Sequence, residues 1–590
     1  MMIFIIGVFA IFFVSYAHSS FNKSRSKEFG LYLTLGMTNK DISKLVRIEN
    51  SILIFFSMIT GLITGTVFSK LFFLIVVNLL NLKSIKFMLS YKSYLLTIFI
   101  FIFIFLIVIV MGKRMASKLV VAQLLKGNKK NVIYRSYNPL VGIIGIILTL
   151  FSLIAFDMFL KKQLLSDLRF LPLIFIGLSI LGIYLSIAHL GSTLIFFSKK
   201  FRNKYFKNII NITEIQNKFS EYKKILFVMT LLTIIVIYFI GMSYSSYSLT
   251  AAFAKNENPY HLMYVVRQND NNSLKNKFNK IIRNKNIEVK RKISLEYLEA
   301  KIYKNTAGKK GWFGWVEVIS EKEFNSLSNH NLSLKKGEAV TLVKLSEPEK
   351  SQWFNDKELR LQIGDAIYDF KFKKEITKML INNSKRTSRF MVIINTDEYQ
   401  KIHNTVNSDR LGVFNLFDFK DWKDAEVVST KLSQYMETNL TNYQQNNSSV
   451  VRYEVTTRIQ LFRTLKEQYA IYLFLMSFVG LLFFISSGSI LYLKLLTDID
   501  DMKIKYKKLF RIGITSHEFK KIVTKDLSFI FFVPLILGSG LGLTFIMITT
   551  TNFALQQELV LNTLIVTGIY GALQIIFYQI ARRKYLQKIR

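Results

Sequence analysis

Two short polar segments carry the side chains best suited to work at a membrane surface. The first is Gly36-Met37-Thr38-Asn39-Lys40-Asp41-Ile42-Ser43-Lys44-Leu45-Val46. The second lies 477 positions further on and reads Gly513-Ile514-Thr515-Ser516-His517-Glu518-Phe519-Lys520-Lys521-Ile522-Val523. Both follow the pattern Gly-apolar-Thr-x-x-acid-apolar-x-Lys-apolar-Val, and each sits between two long apolar runs. Their chemistry is hydrogen bonding rather than catalysis. The glycine can end one helix in the left-handed region. The threonine can cap the next, and an acid three positions on can return the hydrogen bond. The pairs are Thr38 with Asp41 and Thr515 with Glu518, the first a weaker match because Glu or Gln is usual there. The reading predicts a short helix after each turn, near 38–45 and 515–522, lying across the membrane plane and leading into the next span. Asn39, Lys40, Ser516 and His517 would then face solvent. A simple helix–turn–helix connection is the alternative, and duplication argues against it.

Other reactive constellations are missing from the sequence. There is no G-x-x-x-x-G-K-[ST] phosphate loop, and Gly112-Lys113-Arg114 lacks its glycine spacing. The chain has no cysteine, which removes disulfides and thiolate metal sites. Its six histidines are scattered without paired spacing. No Ser/His/Asp set stands out, so neither catalytic nor metal-binding nor cofactor-binding residues are assigned. Asp157 falls near a span end and reads as interfacial. His189, inside a span, reads as a helix–helix hydrogen-bond partner. Gly61-x-x-x-Gly65 and Gly538-x-Gly540-x-Gly542 would permit close helix contact.

Composition says what must position these groups. Of the 590 residues, 51% are hydrophobic and 20% charged, with mean hydropathy +0.29. Apolar runs of this length are read as membrane helices. Nine candidate spans run roughly over 2–17, 51–80, 93–112, 139–160, 170–198, 225–249, 466–495, 527–549 and 557–580. The formal charge of +40 could suggest nucleic acid, but the Lys and Arg gather in short loops beside apolar runs. Segments 18–50, 113–138, 199–224, 496–526 and the tail are the basic ones, which places them in the cytoplasm and argues against a nucleic-acid partner. The alternation puts the C-terminus inside and a long insert outside.

That insert, about 250–460, is polar and broken into short alternating stretches. Segments 339–343 and 390–394 read as strands, with turns at Gly337-Glu338 and Gly364-Asp365 and helices near 272–284 and 422–438. It is long enough for one α+β domain with its own core. Its 35 basic and 25 acidic residues would suit an anionic lipid head group or pyrophosphate. Lys309, Lys310, Trp312 and Trp315 are ligand or lipid candidates, because lysines beside aromatics can dip into a membrane interface. The plainer reading is a hairpin whose tryptophans partly fill a core.

The fold class expected is therefore an α-helical polytopic membrane protein with one extracytoplasmic α+β domain. The units are 1–138, 139–224, 225–249, 250–465 and 466–590. Aligning the halves on their cassettes predicts ten helices, with the first missing.

Further residues carry a resemblance. Ser24-Arg25-Ser26-Lys27-Glu28-Phe29-Gly30-Leu31-Tyr32-Leu33-Thr34-Leu35-Gly36-Met37-Thr38, followed by Ile48-Glu49-Asn50, and Leu124-Leu125-Lys126-Gly127 are similar to segments of FtsX-like permeases. The chain resembles the permeases of bacitracin and antimicrobial-peptide resistance ABC transporters (BceB type) over nearly its whole length. That resemblance implies ten spans and a separate ATPase, expected as a homodimer, which uses ATP and docks on coupling helices. By similarity those helices fall on Thr38–Leu45 and Thr515–Ile522. It also implies a bacterial plasma membrane location and resistance to peptide antibiotics that act on lipid-linked cell-wall precursors. A partner histidine kinase is a further implied partner. The alternative reading is a receptor that reports peptide or lipid binding to that kinase without net transport. A regulator of cell-wall hydrolases fits less well, given the extra spans and single large domain.

Overall fold

Apolar backbone in a bilayer must satisfy its hydrogen bonds internally, so the long apolar runs form helices. In the computed structural model, the residues described are 7, 10–11, 13–18, 25–80, 87–116, 138–162, 170–201, 206, 209–306, 309–328, 331–345, 358–384, 387–440, 453–511 and 513–589. The first helices are α1 (Ser26–Thr34), α2 (Asn39–Leu80), α3 (Tyr91–Ala116), α4 (Pro139–Lys162), α5 (Leu171–Ser198) and α6 (Ile209–Ser248). After the large domain come α12 (Arg458–Arg511), α13 (Ser516–Thr549) and α14 (Gln556–Ile589). Among the described residues, α2, α4, α5, α6, α12, α13 and α14 are long and apolar enough to cross a membrane, and α3 has a shorter apolar stretch. Most of the candidate span at 2–17 lies outside the described residues, although 13–18 are helical.

Helix α6 is the hub of the bundle. Its apolar stretch Tyr222–Ser248 is the most enclosed of the seven, with 61% of its central window buried. Small residues let α13 and α12 approach it closely. A Cβ on Gly538 would lie 2.6 Å from Thr233 Cβ, and one on Gly480 would lie 2.2 Å from Ile240 Cδ1. Hydroxyls then tie α6 to α14: Ser245 Oγ donates to Leu559 O at 2.9 Å, and Thr233 and Tyr570 hydroxyls are 3.3 Å apart. Interhelical hydrogen bonds of this kind are each worth about 0.6 kcal/mol in a membrane. Helices α4 and α5 form a second close pair, where a Cβ on Gly145 would meet Ser186 N at 2.5 Å. His189 faces this seam, with its Cβ 3.1 Å from the position a Gly142 Cβ would take. Asp157 pairs with Lys161 at 2.5 Å in the last turns of α4.

Helices α2 and α3 stand apart from this core. None of the central apolar window of α2 is buried. Tyr94 of α3 lies 2.8 Å from Thr66 of α2, and Phe72 stacks on Phe474 of α12 with ring centroids 4.5 Å apart. Among the described residues, Gly61 and Gly65 meet nothing within 4 Å and form no contact seam, whereas Gly538 and Gly542 pack on α6.

The large domain runs through α7 (Thr250–Glu257), β1 (Leu262–Arg267), α8 (Asn271–Lys285), β2 (Val289–Thr306), β3 (Lys309–Ser320), α9 (Glu321–Ser328), β4 (Glu338–Val343), β5 (Glu358–Ile363), β6 (Ala366–Thr377), β7 (Phe390–Ile394), α10 (Thr396–Thr405), β8 (Leu411–Phe419), α11 (Ala425–Leu440) and β9 (Glu454–Thr457). The strand order is β3-β7-β4-β6-β5-β2-β8-β1-β9, and β2 also pairs with β3. That extra pairing closes six strands into a ring. Strand β2 belongs to both parts: Leu298–Thr306 pairs with β3, while Val289–Leu298 pairs with β8. Alternation sorts its side chains. Leu298, Ala300 and Ile302 join Val316, Val318, Leu361, Val392 and Ile394 in the ring's core, which Tyr399 and Ile402 of α10 also join. Leu295 packs with Val265, Leu416, Val340 and Ile393 in a second layer. Helices α8 and α11 cover the outer sheet through Phe278, Val428 and Leu432, with Phe278 and Phe417 rings 4.0 Å apart.

The two expected strands and two expected turns are present, with Gly337 at φ +79° and Gly364 at φ +66°. Both expected helices are present as well. Two unit boundaries need correction. The boundary at 224/225 falls inside α6, and that at 465/466 falls inside α12. Polar, helix-favouring residues continue each apolar helix beyond the bilayer, where hydropathy alone gives no signal.

Candidate functional site: the paired cassettes and the helix that joins one to the large domain

Both cassettes fold as their residue types dictate. Gly36 has φ +95° and Gly513 φ +96°, a region that L side chains rarely adopt. Gly36 N–H donates to Leu33 O at 3.2 Å and Met37 N–H to Tyr32 O at 3.1 Å, which closes α1 with a Schellman motif. Gly513 N–H makes the matching bond to Phe510 O at 3.1 Å. Both caps are then reciprocal. Asp41 N–H donates to Thr38 Oγ1 at 3.3 Å and Thr38 N–H donates to Asp41 Oδ2 at 3.0 Å. Glu518 N–H donates to Thr515 Oγ1 at 3.3 Å and Thr515 N–H to Glu518 Oε2 at 3.0 Å. The shorter Asp41 thus completes the box as Glu518 does.

The helices that follow are not short. Asn39 opens a helix that continues to Leu80, and Ser516 one that continues to Thr549. The expected separate helix across the membrane plane is instead the first turns of a spanning helix. No glycine or proline interrupts 39–60 or 516–533, so nothing in the sequence breaks either helix there. Thr38, Lys40, Asp41, Thr515, Ser516, His517 and Glu518 are all exposed, and Asn39 opens the same turn. Each cassette hides the same two positions. Ile42 and Val46 are buried in the first, and Phe519 and Val523 in the second.

The two are held differently. Ile42 and Val46 pack with Phe29, Tyr32, Leu33 and Met37 in a small cluster of their own. Phe519 and Val523 belong to the main transmembrane core, with Leu226, Leu527 and Phe531. The α13 segment is also tied to α14: Arg582 Nε donates to Thr524 Oγ1 at 3.0 Å, and Tyr578 and Ser528 hydroxyls are 2.8 Å apart.

Helix α12 connects the second cassette to the large domain without interruption. Its 54 residues span roughly 80 Å at 1.5 Å per residue. Its first residue is locked into the domain. Arg458 N–H donates to His261 O at 3.1 Å, Arg458 Nε donates to Asn258 O at 2.8 Å, and Arg458 Nη2 donates to Pro259 O. Asn258 Nδ2 donates to Thr457 O at 3.1 Å, which binds the incoming chain to the outgoing one. His261 Nδ1 accepts from Phe419 N–H at 3.0 Å, so that nitrogen carries no proton. Burial and the nearby Arg458 hold His261 below its ordinary pKa, against the opposing pull of Asp418. Nothing in the sequence marked Arg458 or His261, because their roles come from strands far apart in the chain.

Lys309, Lys310 and Trp312 lie on β3 at the β2–β3 hairpin, where Thr306 faces Lys309 and Tyr303 faces Trp312. Trp315 is half-buried opposite Lys301, whose Nζ lies 5.3 Å from the ring centroid. The side chains of Lys309, Lys310 and Trp312 lie outside the described residues. The domain also holds a buried ion pair that the sequence did not reveal. Lys344 Nζ donates to Glu317 Oε2 at 2.9 Å, and Ser388 N–H donates to Glu317 Oε1 at 2.6 Å. Burial raises the Glu317 pKa, and the lysine opposes that shift. Among the described residues, no group of three His, Asp or Glu is placed to hold a metal ion.

The sequence is similar to those of known permeases. The family model for the FtsX-like permease C-terminal region matches residues 1–120, the interval that contains the first cassette. The uncharacterized ABC transporter permease YvcS of Bacillus subtilis is 25% identical over 99% of this chain and 90% of its own length. The bacitracin export permease protein BceB of the same species is 23% identical over 98% of this chain and 88% of its own length. Over nearly its whole length the chain is similar to ABC transporter permeases, those of the BceB type among them. The permease is thus a multi-pass membrane protein in which helices α2 and α13 begin at the two cassettes and α12 joins the second cassette to the folded domain. The ABC transporter permease protein YxdM of Bacillus subtilis is similar at 23% identity over 99% of this chain and 90% of its own length.

Proposed function

We propose that this permease works with a separate ATPase subunit to remove or expel cell-wall-targeting peptide antibiotics from the outer face of the bacterial plasma membrane. The large domain stands outside, and the C-terminus and both cassettes face the cytoplasm. The basic segments around the cassettes support that orientation through the positive-inside bias. The ATPase, a dimer, presents two equivalent surfaces. The exposed first turns at Thr38–Asp41 and Thr515–Glu518 offer two matched contact points for them.

One observation carries the reading. Helix α12 runs unbroken from Arg458 in the large domain to Arg511, two residues before Gly513. A displacement of the second cassette therefore reaches the large domain through a single helix, without a flexible linker. ATP-driven closure of the partner subunits moves the cassettes, and the rod moves the domain that holds the peptide or its lipid-linked target. The relatives named for bacitracin export support the choice of ligand class.

The test combines Thr38→Ala, Asp41→Ala, Thr515→Ala and Glu518→Ala in one chain. The expected result is loss of ATPase co-purification or of peptide resistance, with the permease still present in the membrane. Unchanged co-purification and resistance would overturn the role given to the cassettes.

A further inference from the structure

We infer that Arg25 is a positioning residue for the first cassette: it clamps α1 to α2 so that the cassette is carried as one rigid hairpin. The inference rests on the reading of the cassettes as ATPase contacts. Arg25 immediately precedes α1, and Glu49 lies eleven residues into α2. Arg25 Nη1 donates to Glu49 Oε2 at 2.7 Å and Nη2 to Glu49 Oε1 at 3.4 Å. The same guanidinium donates through Nε to Glu28 Oε2 at 2.8 Å and lies 5.4 Å from the Phe29 ring centroid. A planar fork that meets one carboxylate with two nitrogens fixes orientation as well as distance.

The clamp occupies the open end of the hairpin. The Schellman turn and the Thr38–Asp41 cap close the other end, and Phe29, Ile42 and Val46 fill the space between. Helix α1 has nine residues, too few to hold a helix in isolation. Among the described residues, its core is Phe29 packed with Ile42 and Val46, with Tyr32, Leu33 and Met37 at the edge. At the other cassette the sequence offers no equivalent pair. The positions that match Arg25 and Glu49 are Met502 and Asp526, so no Arg–carboxylate fork can form there. It does not need one, because α13 is built into the main core and bonded to α14 at Thr524 and Ser528.

The experiment uses the full permease co-expressed and purified with its ATPase subunit. The chain has no cysteine, so spin labels at Thr34→Cys and Ile48→Cys, both exposed positions, report the hairpin alone. With Arg25→Gln, the distance distribution between the labels should broaden, and permease-dependent ATP hydrolysis should fall roughly tenfold, the scale of a lost charge-assisted hydrogen bond. Arg25→Lys should recover part of both. The exchanged pair Arg25→Glu with Glu49→Arg should recover both more fully than either single reversal. An unchanged distance distribution in Arg25→Gln would overturn the clamp. So would an exchanged pair no better than its single reversals. A loosened hairpin with unchanged hydrolysis would overturn the positioning role. Thr38→Ala with Asp41→Ala separates the two levels. If that pair abolishes coupling while Arg25→Gln does not, only the clamp fails. If that pair also leaves coupling intact, the cassette reading itself fails.

Discussion

The two cassettes share sequence pattern, turn geometry and cap, yet they differ in what lies behind them. The second cassette leads into a helix packed against α6 and α14, and its buried side chains are core residues of the bundle. The first leads into a helix with no buried central window and rests on a six-residue cluster of its own. A local motif can therefore be duplicated faithfully while its support is rebuilt. One copy draws rigidity from its neighbours and the other from a side-chain clamp. As the two ATPase contacts proposed above, they need not yield equally under load.

The same substitution placed in each half gives the sharpest contrast. Gly538→Val should clash with Thr233 and with the backbone of Thr230, 3.0 Å from the added Cβ. Overpacking of this kind costs about 1–3 kcal/mol, and thermal unfolding of the detergent-solubilised permease should show it. Gly61→Val meets open space and should stay within about 0.5 kcal/mol of the parent. Equal effects would erase the difference in packing between the halves.

The caps come next. Thr38→Ala and Thr515→Ala each remove one cap acceptor, worth about 1 kcal/mol locally. Hydrogen exchange at the first helical turn should rise more in α2 than in α13, because packing supports only the latter. Equal protection would mean that the main core does not stiffen the second cassette.

A third measurement moves the comparison to the other end of α12. His261 has its pKa lowered from 6.5, so the unfolded state binds more protons in that range. Its contribution is fully present above about pH 6.5 and is lost as pH falls toward the lowered folded-state value. The protection factor at Phe419 N–H, which donates to His261 Nδ1, should therefore fall on acidification. His261→Asn, which keeps an acceptor but does not titrate, should flatten that dependence. The smallest effect belongs to Tyr570→Phe, which removes the 3.3 Å contact with Thr233 and should cost about 0.6 kcal/mol in thermal unfolding.

Local chemistry was the readable part of this fold. Gly-x-Thr-x-x-acid carries its own turn and cap, so the cassettes could be placed to the residue. Apolar runs placed eight helices, and Gly337 and Gly364 placed two turns. What escaped depends on distant partners. Hydropathy could not show that α12 begins at Arg458, because the residues that lock it are Asn258, Pro259 and His261. Nor could it show that Glu317 on β3 would find Lys344 after β4. Arg25 was quoted within a family-like stretch, but its pairing with Glu49 requires the hairpin to be closed first.

The place of β1 between the last two strands, β8 and β9, has a consequence for how the chain is made. Strand β1 pairs with β8 and with β9, and Leu262 meets both Phe417 and Thr457. Nearly the whole domain must therefore be synthesised before its first strand is paired on either edge. Pairings of such long separation form slowly, because loop-closure entropy precedes the reward. The last strand to arrive, β9, is followed at once by α12. Completion of the sheet and delivery of the next spanning helix thus become a single event during biosynthesis.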